Sequence, residues 1–551
     1  MANIDVGQAS QKGVLIHTPF AHFLCLIVFL DYEHSTLNLL PYIDGASWDP
    51  SLVCHHETRK DILEDIMGFL TAPDDDASGL RIVLLTGVAG CGKTAIAHTV
   101  AKMCSQSEDA TLGSSFFFSS EDGERRRPDK LFSTVARDIC GRDRNFCTSV
   151  CNAIAEERAL ASASLSRQFN GLILKPSKDA AAYRTQPLTI VIDALDEGYN
   201  EELLGILRDT VALVPHKFRF FITSRNEATI IPRLHNLRHV ALKEVNIQDD
   251  MNRHDVGIFV THRLKEIAHD HDIENWPDDN SITKFNHQAE GLFVWAATAC
   301  NHIGASTSPM EELDDLLNNK DLLDVHAAEK MDKLYASILS KCPWRDRHFV
   351  RRYRPCLGVV VALKRPLSIS AIGMLLDDDN AHTVFRPLCS LLIGVMSPDQ
   401  PVQIAHSSLR DYLTRCDQGG DYADARFAIS EIDHSQHLAL RCIITLNHEL
   451  PKHRNNVSFI FDDERAAGSI PSVLDGAIAE HVWYACEHWI DHLQNVKMVS
   501  DELQKPLADF VDRCLLIWMA VCATKQKYFG IGRFYEWSKV LPQMMTIHWG
   551  Y

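Results

Sequence analysis

The fold of this chain is decided by RIVLLTGVAGCGKT, the stretch from Arg81 to Thr94. Its apolar run Ile82–Leu85 is typical of a short strand buried on both faces of a parallel sheet. The run leads into Gly87–Thr94, which fits the pattern Gly-x4-Gly-Lys-Thr without departure. A helical pattern follows over Thr94–Met103. The stretch therefore predicts a strand, a phosphate-cradling loop and a helix in immediate succession, the context that this pattern requires.

The residue types of this loop suit the phosphates of a nucleotide. Glycines let backbone N–H groups turn inward without interference from a Cβ atom, and the following helix N-terminus adds partial positive charge. Lys93 offers an ammonium group to the terminal phosphates, and Thr94 offers a hydroxyl group to magnesium. The alternative is a glycine-rich strand–helix turn with a chance Lys-Thr pair. The predicted nucleotide-binding residues of the loop are Gly87, Val88, Ala89, Gly90, Cys91, Gly92, Lys93 and Thr94.

A second apolar run, Leu188–Ile192, ends in the carboxylate of Asp193. A buried strand that ends in this way can place its carboxylate beside a magnesium ion at the phosphate loop, with water between them. We therefore predict Thr94 and Asp193 as the metal-binding pair. Asp196 and Glu197 follow by one turn and are the candidate catalytic residues, because a carboxylate there can polarise an attacking water. The alternative is that both acids only cap the next helix.

A third strand-like run, Arg219–Thr223, is followed by Ser224 and Arg225. Ligands of open parallel sheets bind in the crevice at the carboxyl ends of the strands, so an arginine at this point can contact the γ-phosphate. Arg225 is therefore a predicted nucleotide-binding residue that distinguishes ATP from ADP. The alternative is a surface arginine in a turn between a strand and a loop.

Alternation of strand-like and helical stretches predicts an α/β P-loop NTPase fold, with a parallel sheet and helices on both faces. Two more strands are expected at Ser115–Phe118 and His239–Leu242, and helical patterns include Glu57–Leu70 and Glu201–Val214. Past residue 250 helical patterns dominate. The predicted domains are an extension without clear fold (1–50), the nucleotide-binding domain (51–245), a helical domain (246–340), a winged-helix-like domain (341–415) and an α-helical C-terminal region (416–551).

The winged-helix prediction depends on one hairpin pattern. The apolar runs Leu391–Met396 and Val402–Ile404 flank Ser397–Pro401, whose serine, aspartate and prolines are typical of a tight turn. Helical stretches precede the hairpin at Ser368–Leu376 and follow it at Ser407–Leu413. A small helical domain that carries a β-wing is therefore expected.

Composition indicates an ordinary globular protein of about three domains, with 551 residues and a formal net charge of −18. Such an acidic surface disfavours nucleic-acid binding. Scattered cysteines in apolar stretches favour reduced thiols and a cytoplasmic location. The apolar segment Phe23–Leu30 is too short for a membrane span, which needs about 20 residues. We therefore predict neither a nucleic-acid partner nor a membrane span.

In this order, the three elements make the chain similar to the NACHT family of signal-transduction ATPases. The resemblance is strongest to the fungal NLR-like proteins of the STAND class with a nephrocystin 3-like N-terminal domain. Further stretches carry it: Glu57–Arg59, Gly291–Ala296 and His406–Leu413. In the family the last of these closes a winged-helix domain whose histidine contacts the β-phosphate of ADP. The resemblance thus assigns His406 to nucleotide binding, whereas the residue pattern alone also permits a structural histidine.

The resemblance implies a switch that binds ATP or ADP with Mg²⁺, with GTP left as an alternative nucleotide. ADP would hold the closed form, and ATP would permit self-association into a homo-oligomer, while any hydrolysis would be slow and would reset the state. A protein partner is implied but not identified. The sequence departs from the family pattern at Glu57, often a glycine, and at Asn226, usually a proline.

Two alternatives stay open. A nucleotide-binding scaffold would keep the loop and hydrolyse nothing. A DNA-associated P-loop ATPase would use the wing and the basic runs Arg125–Arg127 and Arg351–Arg354, which are otherwise solvated surface.

Overall fold

The computed structural model describes residues 33–540, except for 34, 73–78, 120–122, 320–326, 418–423, 457–476, 497 and 525–530. The apolar segment Phe23–Leu30 lies outside these residues. Within them, five parallel strands form one sheet in the order β2-β3-β4-β1-β5. Their bounds are β1 Ile82–Gly87, β2 Thr111–Phe117, β3 Leu188–Asp193, β4 Phe218–Ser224 and β5 Val240–Val245. All five predicted strands are present, and the predicted α/β fold is confirmed.

The sheet is covered on both faces because consecutive residues of its central strands point to opposite sides. On β1, Ile82 and Leu84 belong to one apolar cluster, and Val83 and Leu85 belong to another. The helices of this domain are α1 Lys60–Thr71, α2 Lys93–Gln106, α3 Leu131–Cys140, α4 Arg144–Glu156 and α5 Lys175–Ala181. α1 and α2 pack on the Val83 face, and α3 and α4 pack on the Ile82 face. This arrangement leaves the carboxyl ends of the strands uncovered by the flanking helices.

One helical stretch differs from its expected form. The helix expected over Glu201–Val214 is divided into an α-helical turn at Glu201–Gly205, a π-helical segment at Ile206–Thr210 and a 3₁₀ turn at Val211–Leu213. The preceding stretch, from 141 to 184, buries Phe169, Leu172 and Ile173. Apolar side chains therefore anchor this insertion to the domain instead of leaving it in solvent.

Residues 35–50, which were expected to lack a clear fold, pack on the nucleotide-binding domain. Leu40 and Ile43 are nearly fully buried and belong to the same apolar cluster as Ile82 and Leu84. The Phe117 N–H donates to the Ala46 carbonyl oxygen over 2.9 Å, beside the edge strand β2. The domain thus begins before residue 51, and the expectation for 35–50 is corrected. The sequence of this segment shows no alternating or helical pattern of apolar residues, because its contacts come from single buried side chains.

The remainder of the described chain is mainly helical. Its helices are α6 Asp250–Asp270, α7 Asp279–Ala289, α8 Phe293–Ala305, α9 Pro309–Asn318, α10 Ala327–Ser340, α11 Arg347–Ala362, α12 Ile369–Leu376, α13 Ser407–Asp417, α14 Glu431–Glu449, α15 Glu480–Leu493, α16 Asp501–Arg513, α17 Leu515–Thr524 and α18 Ile531–Val540. Cys514 separates α16 from α17. One continuous apolar cluster runs from Val256 to Phe534. None of the described helices combines the length and the apolar composition that crossing a bilayer requires.

The predicted wing is a small antiparallel sheet. Its strands are β6 Leu367–Ser368, β7 Leu392–Ile393 and β8 Pro401–Ile404, in the order β6-β8-β7. Only Leu392 and Ile393 of the apolar run Leu391–Met396 pair with β8, so the hairpin is shorter than its sequence pattern suggested. β8 leads through Ala405 and His406 directly into α13. That connection brings the start of α13 toward the carboxyl edge of the large sheet.

Candidate functional site

Three central strands end at the same edge of the sheet. β4 lies between β3 and β1, with Ile192 beside Ile222 and Thr86 beside Ser224. Asp193, Arg225 and the loop after Gly87 therefore start side by side, although more than 100 residues separate the loop from Asp193 in sequence. The parallel register alone thus brings the three predicted elements together.

The loop from Gly87 to Gly92 turns sharply before α2. Gly90 and Gly92 have φ angles of 78° and 95°, which side chains with a Cβ atom rarely adopt. The Lys93 ammonium group curls back over the loop, where it donates to the Gly87 and Val88 carbonyl oxygens over 2.8 and 2.9 Å. These two carbonyl oxygens hold the Lys93 ammonium group at the mouth of the loop. A phosphate group there would form a stronger contact with the ammonium group, because the phosphate is negatively charged.

Arg59 contacts the loop from outside the pattern. Its Nη2 donates to the Cys91 carbonyl oxygen over 2.5 Å, and its guanidinium lies 4.6 Å from the centre of the Phe293 ring. The Arg59 N–H donates to Asp255 on α6 over 3.0 Å. Burial lowers the pKa of this guanidinium. Arg59 thus ties the loop to α6 and α8, a role that sequence reasoning missed because its partners Asp255 and Phe293 are distant in the chain.

Glu57, two residues before Arg59, occupies one of the positions at which the sequence departs from the family pattern. Glu57 has a φ of 72°, the region that glycine adopts without strain. A glycine at this position would therefore be suited to the same turn. The turn is retained here with glutamate, and Thr58 and Arg59 keep their places beside the loop.

Asp193 is almost completely buried beside two threonines. Its carboxylate accepts from the Thr223 hydroxyl over 2.5 Å and from the Thr94 hydroxyl. Burial raises the pKa of Asp193 to about 6, against the opposing effect of these hydrogen bonds. The predicted metal pair, Thr94 and Asp193, is thus in direct contact. Its hydroxyl and carboxylate oxygens are the ligand type that magnesium prefers, and a divalent cation there would offset the cost of burying the carboxylate.

Arg225 lies among three carboxylates. Its N–H donates to Asp196 Oδ1 over 2.9 Å, and its Nε lies 3.2 Å from Asp196 Oδ2. Its Nη2 lies 3.5 Å from Glu197, and its Nη1 lies 3.8 Å from Asp411 on α13. Nη2 also donates to the Ser407 hydroxyl over 3.3 Å. Arg225 therefore connects the end of β4 to the start of α13.

Asp196 and Glu197 differ in what they can do. Both oxygens of Asp196 face Arg225, and its side chain is only 7% exposed. The Glu197 side chain is more exposed, at 18%, and lies farther from the arginine. Because both Asp196 oxygens already contact Arg225, Glu197 is better placed than Asp196 to contact and orient a water molecule.

His406 lies at the end of β8, across from the loop. The Ser408 N–H donates to His406 Nδ1 over 3.2 Å, so the neutral ring carries its proton on Nε2. Burial, with the nearby charges of Arg225 and Lys93, lowers the pKa of His406 to about 4. The ring is therefore neutral at pH 7 and offers one N–H donor.

Several of these groups border one cavity of about 530 Å³, and Asp193 is not among the residues that line it. Lys93, Thr94, Asp196, Glu197, Arg225 and His406 line one part of it. Another part is largely apolar and is bordered by Leu52, Val53, Phe259, Phe293, Val294 and Ala297. A cavity of this volume with separate polar and apolar walls is suited to a ligand that has both a charged end and a flat apolar end. The apolar wall was missed by the sequence analysis, since its residues come from three separate segments.

The basic run on α11 is partly engaged within the described structure. Arg352 forms an ion pair with Asp378 over 2.6 Å, and Arg354 donates to the Ala425 carbonyl oxygen over 2.6 Å. Arg125 in the other run lies 3.4 Å from the Gly45 carbonyl oxygen. These contacts stabilise domain packing and leave fewer cations for a phosphate backbone.

One known protein family matches the part of the chain that contains the loop and the strand ends. Residues 58–225 match the family described as Nephrocystin 3, N-terminal. The matched region begins beside Arg59 and ends at Arg225, so it spans the loop, Asp193 and the acids between them. None of the curated proteins matches the chain.

Three solved structures show more distant similarity. PCH-2 of C. elegans is 13% identical, with a TM-score of 0.27 over 49% of this chain and 70% of that chain. Drosophila ORC bound to DNA is 10% identical, with a TM-score of 0.30 over 66% and 96%. Cdc6p from Pyrobaculum aerophilum is 14% identical, with a TM-score of 0.30 over 68% and 90%.

Proposed function

We propose that the chain is an ATP- and ADP-binding signal-transduction switch of the NACHT and STAND class. One observation carries this proposal: the phosphate loop, the acids Asp196 and Glu197, and residues at the start of α13 border the same cavity. A nucleotide in that cavity would contact the nucleotide-binding, helical and winged-helix domains at once. The number of phosphate groups on the nucleotide could therefore control how the three domains pack.

Each phosphate-facing group has a distinct role in this proposal. The inward N–H groups of the loop and the Lys93 ammonium hold the β-phosphate and the terminal phosphate. Thr94 and Asp193 would hold Mg²⁺, which supplies positive charge to the phosphates. The neutral His406 donates its Nε2 proton to a β-phosphate oxygen. The apolar wall around Phe259 and Phe293 accommodates the base, with adenine preferred and guanine retained as an alternative.

The switch follows from a two-state equilibrium. A ligand shifts such an equilibrium only by binding one state better than the other. ADP favours the closed arrangement, in which His406 and α13 remain near the loop. ATP favours release of the winged-helix domain and self-association of the exposed nucleotide-binding surfaces, with an unidentified protein partner downstream. Slow hydrolysis, with Glu197 polarising water, would return the protein to the closed state.

The proposal is tested by identifying the nucleotide that co-purifies with the full chain, by mass spectrometry of the denatured protein. We expect ADP or ATP at a substantial fraction of the protein. Lys93→Ala should weaken binding at least about tenfold, because the phosphates lose a charge-assisted contact. Lys102→Ala, on the same helix α2, is the matched control and should bind normally. A folded wild-type protein without affinity for any adenine or guanine nucleotide with Mg²⁺ would refute the proposal.

The same protein sample can be used to test whether bound ATP is hydrolysed. Phosphate release from bound ATP in a single turnover distinguishes the switch from a scaffold that binds nucleotide without hydrolysis. A scaffold would retain ATP unchanged over hours. The switch would convert ATP to ADP and return to the oligomeric state of the ADP form.

A further inference from the structure

Asp196 fixes the orientation of Arg225. The contacts to its backbone N–H and to Nε lie on one side of the arginine, at 2.9 and 3.2 Å. Because Asp196 holds this side of Arg225, the two Nη atoms face Glu197 and the start of α13. The positions of Nη1 and Nη2 are therefore set by the nucleotide-binding domain, and α13 meets them there.

Two groups of α13 occupy those Nη atoms. The Ser407 hydroxyl accepts from Nη2 over 3.3 Å, and Asp411 lies 3.8 Å from Nη1. Ser407 and Asp411 are one helical turn apart, so they present one face of α13 to the arginine. Arg225 is also the residue that the sequence predicts at the γ-phosphate, so α13 and a third phosphate compete for the same guanidinium.

Charge strengthens this competition. Three carboxylates, those of Asp196, Glu197 and Asp411, lie within 4 Å of one guanidinium. A third phosphate at this point would meet more negative than positive charge as long as α13 stays in place. A diphosphate, one group shorter, meets the loop and His406 without entering this region to the same extent.

We propose that Asp411, assisted by Ser407, is a specificity-determining residue that makes the closed site prefer a nucleoside diphosphate to a triphosphate by occupying Arg225. This inference rests on the proposed function and names the contact that couples phosphate number to winged-helix docking. Engagement of Arg225 by a triphosphate requires α13 to withdraw.

The test measures the affinities of the full-length wild type for ADP and for a non-hydrolysable ATP analogue, both with Mg²⁺, by competition with a fluorescent nucleotide. Asp411→Asn should shift the ratio of the two affinities toward the ATP analogue by about two- to fivefold, the range for a half-exposed ion pair. Ser407→Ala combined with Asp411→Asn should shift it further. An unchanged ratio in both variants would overturn the inference.

Two comparisons isolate the contact. Arg415→Gln removes another ion pair of α13, with Asp332 on α10 at 2.8 Å, without touching Arg225, and should leave the ratio unchanged. In an Arg225→Gln background, Asp411→Asn should no longer change the ratio, because a double-mutant cycle reports only the shared interaction. If Asp411→Asn acts equally in both backgrounds, the residue does not work through Arg225.

The two proposals fail in different ways. If wild-type protein binds neither nucleotide, the proposed function is wrong, and no ratio of the two affinities can be measured. If wild type binds both and Asp411→Asn weakens or strengthens them equally, the nucleotide site stands and the specificity role of Asp411 is wrong. Thermal unfolding of each variant without nucleotide confirms that the comparison concerns folded protein.

Discussion

The Val294 N–H donates a hydrogen bond to the Gly90 carbonyl oxygen over 3.1 Å, so α8 of the helical domain sits directly on the phosphate loop. Gly90 has a φ of 78°, and a Cβ atom built on it would lie 2.1 Å from Val294 Cγ1. The glycine is therefore required twice, once by the backbone turn and once by the close approach of a second domain. The loop's shape and the interdomain packing depend on each other.

Gly90→Ala should lower both the thermal stability and the nucleotide affinity of the protein. Overpacking of this kind costs about 1 to 3 kcal/mol, which corresponds to a fall in Tm of about 2 to 12 °C for a domain of 150 to 250 residues. Differential scanning calorimetry and nucleotide competition measure the two effects. Gly205→Ala is the control, since a Cβ atom there meets nothing within 4 Å in a helical turn. A Gly90→Ala protein with wild-type Tm and affinity would contradict the packing described here.

The sheet and the loop could be predicted because their signals are local. Buried strands contain short apolar runs such as Ile82–Leu85, and the glycine pattern lies within eight residues, from Gly87 to Thr94. The carboxyl-edge rule for parallel sheets then places Asp193 and Arg225 near the loop without any further information.

The contacts that close the site could not be predicted in the same way. Arg59 reaches Cys91, Asp255 and Phe293, which lie in three separate parts of the chain. No period or motif records such pairs, because they depend on how the domains pack. The different roles of Asp196 and Glu197 could not be predicted from the sequence either, because they depend on the position of Arg225.

Asp193→Asn should stabilise the nucleotide-free protein above pH 6. The pKa of Asp193 is raised to about 6 from an ordinary 3.8, so the folded protein keeps a proton that the unfolded chain releases. Stability therefore falls as the pH rises from 3.8 to about 6 and stays lower above that range. Asparagine carries no such cost and can still accept from Thr223, so we expect a gain of roughly 1 to 3 kcal/mol at pH 8.

Thermal unfolding in EDTA without nucleotide, at pH 8 and pH 5, measures this gain, which should be larger at pH 8. The same variant should lose the Mg²⁺-dependent part of the stabilisation by ADP. Asp143→Asn is the matched control: that carboxylate forms an ion pair with Arg184 over 2.6 Å, and its loss should lower Tm. If Asp193→Asn is less stable than wild type at both pH values, its buried carboxylate does not carry the inferred cost.

Glu197→Gln and Asp196→Asn should have separable effects. Glu197→Gln should slow single-turnover phosphate release at least about tenfold with little change in ATP affinity, because a general base contributes about 10²-fold or more. Asp196→Asn should instead change the discrimination between ADP and ATP, since it loosens Arg225. Quenched-flow or filter-based release assays and nucleotide competition measure the two. Equal loss of turnover and unchanged discrimination in both variants would show that the acids act as one unit.

His406 should link ADP binding to proton uptake. Its pKa is lowered to about 4 in the nucleotide-free protein, chiefly by burial and then by Arg225 and Lys93. A β-phosphate beside Nε2 would add negative charge and favour the protonated ring, so ADP raises this pKa. A ligand that raises a pKa binds more tightly as the pH falls, and the affinity for ADP should therefore gain about two- to fivefold from this group between pH 8 and pH 6.

Isothermal titration of ADP in EDTA removes the competition between Mg²⁺ and the proton of Asp193, and a comparison of two proteins then measures the linkage to His406. His406→Gln keeps a neutral N–H donor but cannot take up the proton, so the difference between wild type and His406→Gln isolates the histidine from the titration of ADP itself. We expect the two proteins to have similar ADP affinities at pH 8 and to diverge at pH 6, with the wild type tighter. His406→Ala, which lacks the donor, should be weaker at both pH values and should release ADP faster. Parallel pH profiles for wild type and His406→Gln would mean that the ring does not contact the phosphate, and unchanged ADP release in His406→Ala would remove His406 from the switch.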